Sequence, residues 1–214
     1  GGIWMLAKEA GGTNLPVSDL LVKVRASILP GLEAEAKTKG LTVGSPVFVR
    51  IFKESKELEV WLQQPKAKQW VLFKTYPIYK WGGGTLGPKL AEGDGQAPEG
   101  FYTVGARQMN PFSSYHLAFN IGYPNDFDQA QGRTGSAIMV HGNRVSIGCL
   151  AMTDEKIEEI YTLCSAAHDG GQPYFRIHIF PARMTDEWLR KFVGDANEEF
   201  WKNLKEGYDL FEKN

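Results

Sequence analysis

AIMVHGNRVSIGCLAMT, at residues 137–153, is the most informative stretch of the sequence. An apolar run ends at His141, and a cysteine follows eight residues later at Cys149. A thiol attacks only as the thiolate, so it needs an imidazole that accepts its proton or surroundings that lower its pKa. His141 is the candidate base and Cys149 the candidate nucleophile. The stretch therefore predicts a cysteine-nucleophile site.

The residues next to the cysteine support this interpretation. Gly148 allows the backbone to bend past a reacting carbonyl, and we expect the amides of Gly148 and Cys149 to point at the developing oxyanion. Thr153 predicts the N-cap of a helix whose positive end would lie beside Cys149, so we expect an accessible thiol with a depressed pKa. A packed cysteine and a core histidine are the alternative, but the glycines beside both residues favour catalysis.

The motif Val-His-Gly at 140–142, followed by Ser-Ile-Gly-Cys-Leu-Ala-Met at 146–152, resembles the active-site signature of the L,D-transpeptidase catalytic domain (YkuD) family. The form HGNRVSIGCLAMT is most similar to the YafK/DpaA-like branch, and the resemblance extends over roughly residues 44–212. It implies an α+β, β-rich fold with mixed or antiparallel sheets, a helix after the catalytic cysteine, and flanking N- and C-terminal helices. Ile147 and Ala151 depart from the family, because many members have His and Arg at these positions.

The resemblance implies a periplasmic cysteine enzyme without a metal, acting at the L-centre of meso-diaminopimelate in peptidoglycan stem peptides. Cys149 would be the nucleophile and His141 the base. Hydrolysis is favoured, because transpeptidases of the family generally carry a longer segment between these two residues. The YafK/DpaA-like branch implies release of a murein-anchored outer-membrane lipoprotein. An L,D-transpeptidase that forms 3-3 cross-links or attaches lipoprotein is one alternative, and an inactive peptidoglycan-binding module is another.

Several side chains near this stretch are candidate substrate ligands. Arg144 is predicted to hold a substrate carboxylate in place of the arginine missing at Ala151, with a solvated loop arginine as the alternative. A predicted strand at 115–120 would direct its first two side chains towards the cleft, although a lone strand histidine is more often packed or exposed. The Gly-rich stretch 81–100 predicts a rim loop. The full set is Arg144, Ser146, His116, Tyr115 and Lys89.

The chain divides by pattern into an N-terminal helical segment, 1–44, and a catalytic domain, 45–214, that includes the C-terminal helices. A helix over 17–29 with Ser18 as its cap is predicted to break at Pro30, and a second one over 33–39 is closed by Gly40. Three strands between 47 and 73 with polar turns predict an antiparallel meander. On a later strand at 173–180, His178 is predicted to be solvated.

Composition excludes several classes of function. The 214 residues carry a net charge of −1, so no bulk field attracts nucleic acid or an anionic membrane. No apolar run is long enough to span a bilayer. The sequence begins at Gly1 with neither an initiator Met nor a signal-peptide pattern, so we expect a processed or trimmed form.

Two cysteines do not predict a disulfide scaffold. A helix that starts at Thr153 would carry Cys164 about 15 Å along its axis, beyond the roughly 7 Å Cα separation that a disulfide spans. We therefore expect Cys149 to be free and Cys164 to pack in the core. The sequence contains neither an HExxH nor a CxxC motif, so we expect no metal or other cofactor.

Overall fold

The computed structural model describes residues 14–214. The part of the predicted N-terminal segment before residue 14 lies outside the described residues. Two mixed five-stranded sheets and five α-helices make up the described chain, which confirms the predicted α+β class.

The first sheet is built around a strand that is buried on both faces. β1 (Val47–Phe52) pairs antiparallel with β2 (Glu57–Gln63), which pairs antiparallel with β3 (Trp70–Pro77). The predicted meander is therefore confirmed. On its other side β1 pairs in parallel with β10 (Tyr174–Phe180), which pairs antiparallel with β5 (Gly100–Gly105).

The second sheet consists of short strands and carries the motif. β8 (Met139–His141) lies in parallel beside β9 (Leu150–Ala151), and their register places Val140 opposite Leu150 and His141 opposite Ala151. β7 (Ala118–Asn120) and β4 (Lys80–Trp81) extend the sheet on either side, and β6 (Met109–Asn110) forms its edge. The predicted strand 115–120 thus forms only in its second half, and its first two residues belong to the preceding turn.

Five α-helices surround the sheets. None of those in the described part of the chain is long and apolar enough to cross a membrane. A 3₁₀ turn at Ala106–Gln108 follows β5. The helices are α1 (Asp19–Thr38), α2 (Asp126–Ala130), α3 (Asp154–Asp169), α4 (Asp186–Arg190) and α5 (Glu198–Glu212).

The predicted break at Pro30 is wrong, because α1 continues through it. Ser18 caps the helix as predicted, since its hydroxyl accepts a hydrogen bond from the Leu21 amide at 3.1 Å. Buried residues lie on both sides of the proline, and the Arg25 guanidinium ties the helix to α3 by donating to Ser165 Oγ at 2.8 Å. This packing holds the helix together although Pro30 cannot donate a backbone bond. The buried side chains are Leu21, Val24, Leu32 and Ala36.

A second apolar cluster packs α4 and α5 against the ends of β1 and β10. It includes Phe52, Phe180, Trp188 and Trp201. The prediction that His178 is solvated is wrong, because its ring lies 4.7 Å from the Phe48 ring centre and 4.4 Å from that of Phe101. Aromatic side chains and α5 cover this face of the first sheet. Burial, together with nearby arginine charge, lowers the pKa of His178 to about 3.

Candidate active site

The parallel ladder between β8 and β9 brings the histidine and the cysteine together. Cys149 lies just before β9, and its sulfur accepts a hydrogen bond from the Met139 amide at 3.4 Å. Side chains alternate faces along a strand, so Cys149 and Ala151 point to the same side. Ala151 is paired with His141. The imidazole, at the end of β8, and the thiol, next to the start of β9, are therefore placed on one face of the sheet.

His141 has the contacts of a neutral general base. Its Nδ1 atom lies 2.5 Å from the carbonyl oxygen of Gly142, so this nitrogen donates and Nε2 is left as the acceptor. The Tyr115 ring packs over the imidazole with 4.8 Å between ring centres. The side chain is 2% exposed, and burial lowers the pKa of His141 although the bond to Gly142 opposes this effect. The imidazole is thus unprotonated at neutral pH and able to accept a proton.

Burial raises the pKa of the Cys149 thiol, although the Met139 amide and the positive charge of Lys89 act against it. The predicted depression of this pKa is therefore wrong. Helix α3 begins only at Asp154, with β9 between it and the cysteine, so its positive end does not lie at the sulfur. Thr153 occupies the N-cap position, but its side chain makes no capping bond. The thiol is therefore protonated at rest.

Close packing fixes the connection between the two reacting residues. A Cβ atom on Gly142 would lie 2.8 Å from both Asp154 Oδ1 and the Tyr115 carbonyl oxygen, so only glycine fits. Gly148 has a φ of +111° and lies against the Gln96 carbonyl oxygen. The Ser146 hydroxyl donates to the Cys149 carbonyl oxygen and accepts from the Gly82 amide at 3.1 Å. These contacts give Ser146 a role in shaping the turn.

Arg144 is exposed at the start of α3. Its guanidinium carbon lies 5.6 Å from the centre of the Tyr79 ring. Together with the connection and the first turn of α3 it lines an open cavity of about 500 Å³. The cavity contains positive and negative side chains, which suits a substrate group that carries both an amine and a carboxylate. Its lining residues are Asn143, Arg144, Thr153, Asp154, Glu155 and Lys156.

Two of the other candidate ligands already have protein partners. His116 Nε2 lies 2.9 Å from Glu158 Oε2, so this side chain faces α3 instead of the predicted cleft. Lys89 is 4% exposed, and its ammonium donates to Asp94 Oδ1 at 2.6 Å. It is therefore not a free rim lysine, because the Gly-rich loop supplies the carboxylate that a buried ammonium requires.

A buried ion pair that was not predicted from the sequence lies beneath this loop. Lys53 follows β1 and Glu99 precedes β5, and their charged atoms are 2.9 Å apart with both side chains fully buried. In the sequence each looks like an ordinary surface charge beside a strand. Within residues 14–214, no group of three or more histidine, cysteine, aspartate or glutamate side chains is placed to hold a metal ion.

Comparisons with known proteins agree with this geometry. Residues 60–184, which include both reacting side chains, match the model of the YkuD family, the L,D-transpeptidase catalytic domain. The Escherichia coli K12 protein named "Putative L,D-transpeptidase YafK" is 44% identical over 171 residues, which cover 80% of this chain and 68% of the relative. The same identity and coverage hold for the protein of that name in Escherichia coli O157:H7.

Among solved structures, a mutant of the helical cell shape determining protein Pgp2 from Campylobacter jejuni has a TM-score of 0.51 and 26% identity over 64% of this chain. The match covers 47% of the Pgp2 chain, so this chain spans less than half of that protein. The predicted family is confirmed by the family match and the E. coli relative together. The chain belongs to the L,D-transpeptidase catalytic domain (YkuD) family and is an enzyme of that family.

Proposed function

We propose that this enzyme is a periplasmic amidase that hydrolyses the bond at the L-centre of meso-diaminopimelate in peptidoglycan and so releases a murein-anchored lipoprotein. The Cys149 sulfur attacks the carbonyl carbon while its proton moves to Nε2 of His141. The amides of Gly148 and Cys149 stabilise the oxyanion. The intermediate collapses to a thioester, and the leaving amine takes the proton from His141. Water, deprotonated by His141, then releases the acyl group and restores the thiol.

The exposed connection is the observation that carries the choice of water over an amine. Only seven residues, 142–148, separate His141 from Cys149. In their middle, the side chain of Val145 is 53% exposed and that of Ile147 is 88% exposed. A wall that shapes an acceptor site would cover such apolar side chains. Transfer to an amine requires that water be kept from the thioester, and this connection offers no such cover.

Peptidoglycan as the substrate is supported by the family and by the mixed charges of the cavity beside the connection. A diaminopimelate side chain ends in a carboxylate and an amine. Arg144 forms no ion pair with a carboxylate among the described residues, so we expect it to pair with the substrate carboxylate, while the nearby Glu155 suits the amine. Peptidoglycan lies outside the inner membrane, which supports a periplasmic location.

Transpeptidation is the second candidate function, and the name of the E. coli relative favours it. An amine acceptor would then resolve the thioester and form a 3-3 cross-link or attach lipoprotein. A catalytically inactive binding module is disfavoured, because the paired His141 and Cys149 share one face of the sheet.

The test supplies purified sacculi that carry anchored lipoprotein and, separately, stem tetrapeptides, and it identifies products by mass spectrometry. We expect free lipoprotein and a tripeptide on the glycan that ends in diaminopimelate. Cys149→Ala serves as the control and should release nothing. Accumulation of 3-3 dimers without released lipoprotein would instead establish the transpeptidase, and binding without any acylated enzyme or product would establish the inactive module.

A further inference from the structure

The buried Lys53–Glu99 ion pair has a protein hydrogen-bond partner for each ammonium proton and for both carboxylate oxygens. The three ammonium protons of Lys53 go to the Gly87 carbonyl at 2.9 Å, the Ala97 carbonyl at 2.8 Å and Glu99 Oε2 at 2.9 Å. Burial lowers the pKa of Lys53, and the charge of Glu99 opposes that effect. Taking two charges out of water is costly, and a buried ion pair offsets that cost only when its geometry is good and further hydrogen bonds satisfy both groups.

Glu99 connects the pair to two further parts of the fold. Its Oε2 atom also accepts from the Gly87 amide at 2.7 Å, and its Oε1 atom accepts from the Trp201 indole at 2.8 Å. Trp201 belongs to α5. We call Lys53, Glu99 and the Trp201 indole the buried node. It ties the end of β1 and the C-terminal helix to both arms of the Gly-rich loop, at Gly87 and Ala97.

The loop in turn supports the turn that precedes the nucleophile. The Gln96 side chain donates to the Gly87 carbonyl at 2.7 Å, and its backbone carbonyl faces Gly148, where an added Cβ would be 3.2 Å away. At the loop's start, the Gly82 amide donates to Ser146 Oγ at 3.1 Å. The buried node therefore contacts the Gly-rich loop, and residues of that loop contact the Gly148–Cys149 backbone.

A second route runs through β4. The Trp81 indole donates to the Lys53 carbonyl at 2.8 Å, and the Lys53 ammonium lies 4.8 Å from the centre of the Trp81 ring. Trp81 is paired with Leu150, the residue after the nucleophile. A shift of Lys53 would thus affect the turn on both sides, through the Gly-rich loop at Gly148 and through β4 at Leu150.

We propose that Lys53 and Glu99 are positioning residues for the reaction at Cys149, and that they act by fixing the Gly148–Cys149 turn through the Gly-rich loop. They touch neither substrate nor thiol. Their effect is on the direction of the backbone amides that meet the oxyanion. The inference rests on thioester formation at Cys149 and is independent of which amide bond is the natural substrate.

Two reagents separate this role from general stability. Iodoacetamide alkylates Cys149 by displacement at carbon and forms no oxyanion, whereas p-nitrophenyl acetate acetylates it through a tetrahedral oxyanion and releases p-nitrophenolate. The ratio of the acetylation rate to the alkylation rate therefore reports oxyanion stabilisation. We expect this ratio to fall by at least about tenfold in Lys53→Met and in Glu99→Gln, because loss of one aligned oxyanion donor costs more than that.

The matched control is Arg50→Met, which removes another buried cation from β1. Arg50 is 1% exposed and pairs with Glu59 and Glu212, away from the Gly-rich loop. We expect it to lower the thermal midpoint while leaving the ratio unchanged. Trp201→Phe keeps an aromatic ring beside Trp188 and Phe192 and removes the bond to Glu99, so it should lower the ratio in the same direction even if the charge variants do not fold.

An unchanged ratio in Trp201→Phe and in every charge variant that folds would overturn the proposal and leave the buried node with a purely structural role. The proposal also fails if Arg50→Met lowers the ratio as much as Lys53→Met does. Neither reagent resembles peptidoglycan, so a failure of the sacculus experiment leaves this test intact. Conversely, release of lipoprotein by the enzyme, with the ratio of acetylation to alkylation unchanged in variants of the buried node, would support the proposed function and overturn the positioning role.

Discussion

The Cys149 thiol and the His141 imidazole, which we propose as nucleophile and base, rest in their neutral forms. Burial raises the pKa of Cys149 and lowers that of His141, so each change opposes the thiolate–imidazolium pair. The proton must therefore move when the sulfur attacks, and Nε2 of His141 is the acceptor that the bond to Gly142 leaves available. Such an enzyme keeps a less reactive thiol between turnovers than one that stores a thiolate.

The pH dependence of alkylation tests this resting state. Below the thiol pKa the thiolate fraction grows about tenfold per pH unit, so the rate at which iodoacetamide modifies Cys149 should keep rising from neutral to alkaline pH. Cys164 is fully buried and should stay unmodified in the folded protein. Peptide mass spectrometry follows both sites in one sample. A rate that reaches its plateau below neutral pH would instead show that a thiolate is stored.

In α1, the burial of apolar side chains outweighs the tendency of proline to end a helix. Leu21 and Val24 precede Pro30 and Leu32 and Ala36 follow it, and all four side chains are buried. The proline itself is exposed, so its ring finds room while its missing N–H costs one helical bond. The helix therefore carries a local penalty that tertiary packing offsets.

Removing that penalty should stabilise the protein. We expect Pro30→Ala to raise the free energy of unfolding by about 1–3 kcal/mol, as measured by urea denaturation. Gly31→Ala is the matched control, because an added Cβ meets nothing within 4 Å and should contribute no more than about 1 kcal/mol from helix propensity. A Pro30→Ala variant no more stable than wild type would mean that α1 is bent at this position in a way the proline favours.

Whether an element can be predicted from the sequence depends on how far apart its partners lie along the chain. Alternation and polar turns predict the β1–β2–β3 meander, because its pairings are local. The parallel pairing of β1 with β10 joins segments far apart in sequence, and β9 has only two residues, too few for any periodicity. The motif reveals His141 and Cys149, whereas the burial of Lys53 and Glu99 depends on the distant helix α5.

In the molecule as a whole, α5 packs on one outer face of the first sheet. Phe211 of this helix lies 4.7 Å from Phe48 between ring centres, and Gly207 sits so close to Phe101 that a Cβ there would be 2.4 Å from the ring. His178 is half-buried between the rings of Phe48 and Phe101. A histidine kept neutral by its surroundings makes stability depend on pH.

The sign follows from the two pKa values of His178. Its pKa is about 3 in the folded protein and 6.5 as the reference, so the unfolded chain binds more protons between these values. The free energy of unfolding should therefore fall as the pH drops through this window. His178→Phe removes this contribution. Urea denaturation near pH 7 and near pH 5 should show wild type losing at least about 1 kcal/mol more than the variant.

His141 and His168 also have lowered pKa values and remain in both proteins, so the difference between wild type and variant isolates His178. Equal losses in the two proteins would show that His178 is hydrated or paired at acid pH. They would also indicate that α5 does not seal this face of the sheet in solution.

The parallel ladder of β8 and β9 makes the alignment of the two candidate catalytic residues independent of the length of the loop that joins the strands. Neighbouring parallel strands ordinarily need a crossover of a dozen or more residues, but here a connection of eight residues, 142–149, joins them. Val140 opposite Leu150 and His141 opposite Ala151 hold the reacting pair in register without help from the connection's length. Insertions among the exposed residues 143–145 would therefore leave the chemistry in place and alter only what meets the acyl-enzyme. If the proposed hydrolysis depends on exposure of the thioester to water, a longer loop at this point would favour transfer to an amine without any change at Cys149 or His141.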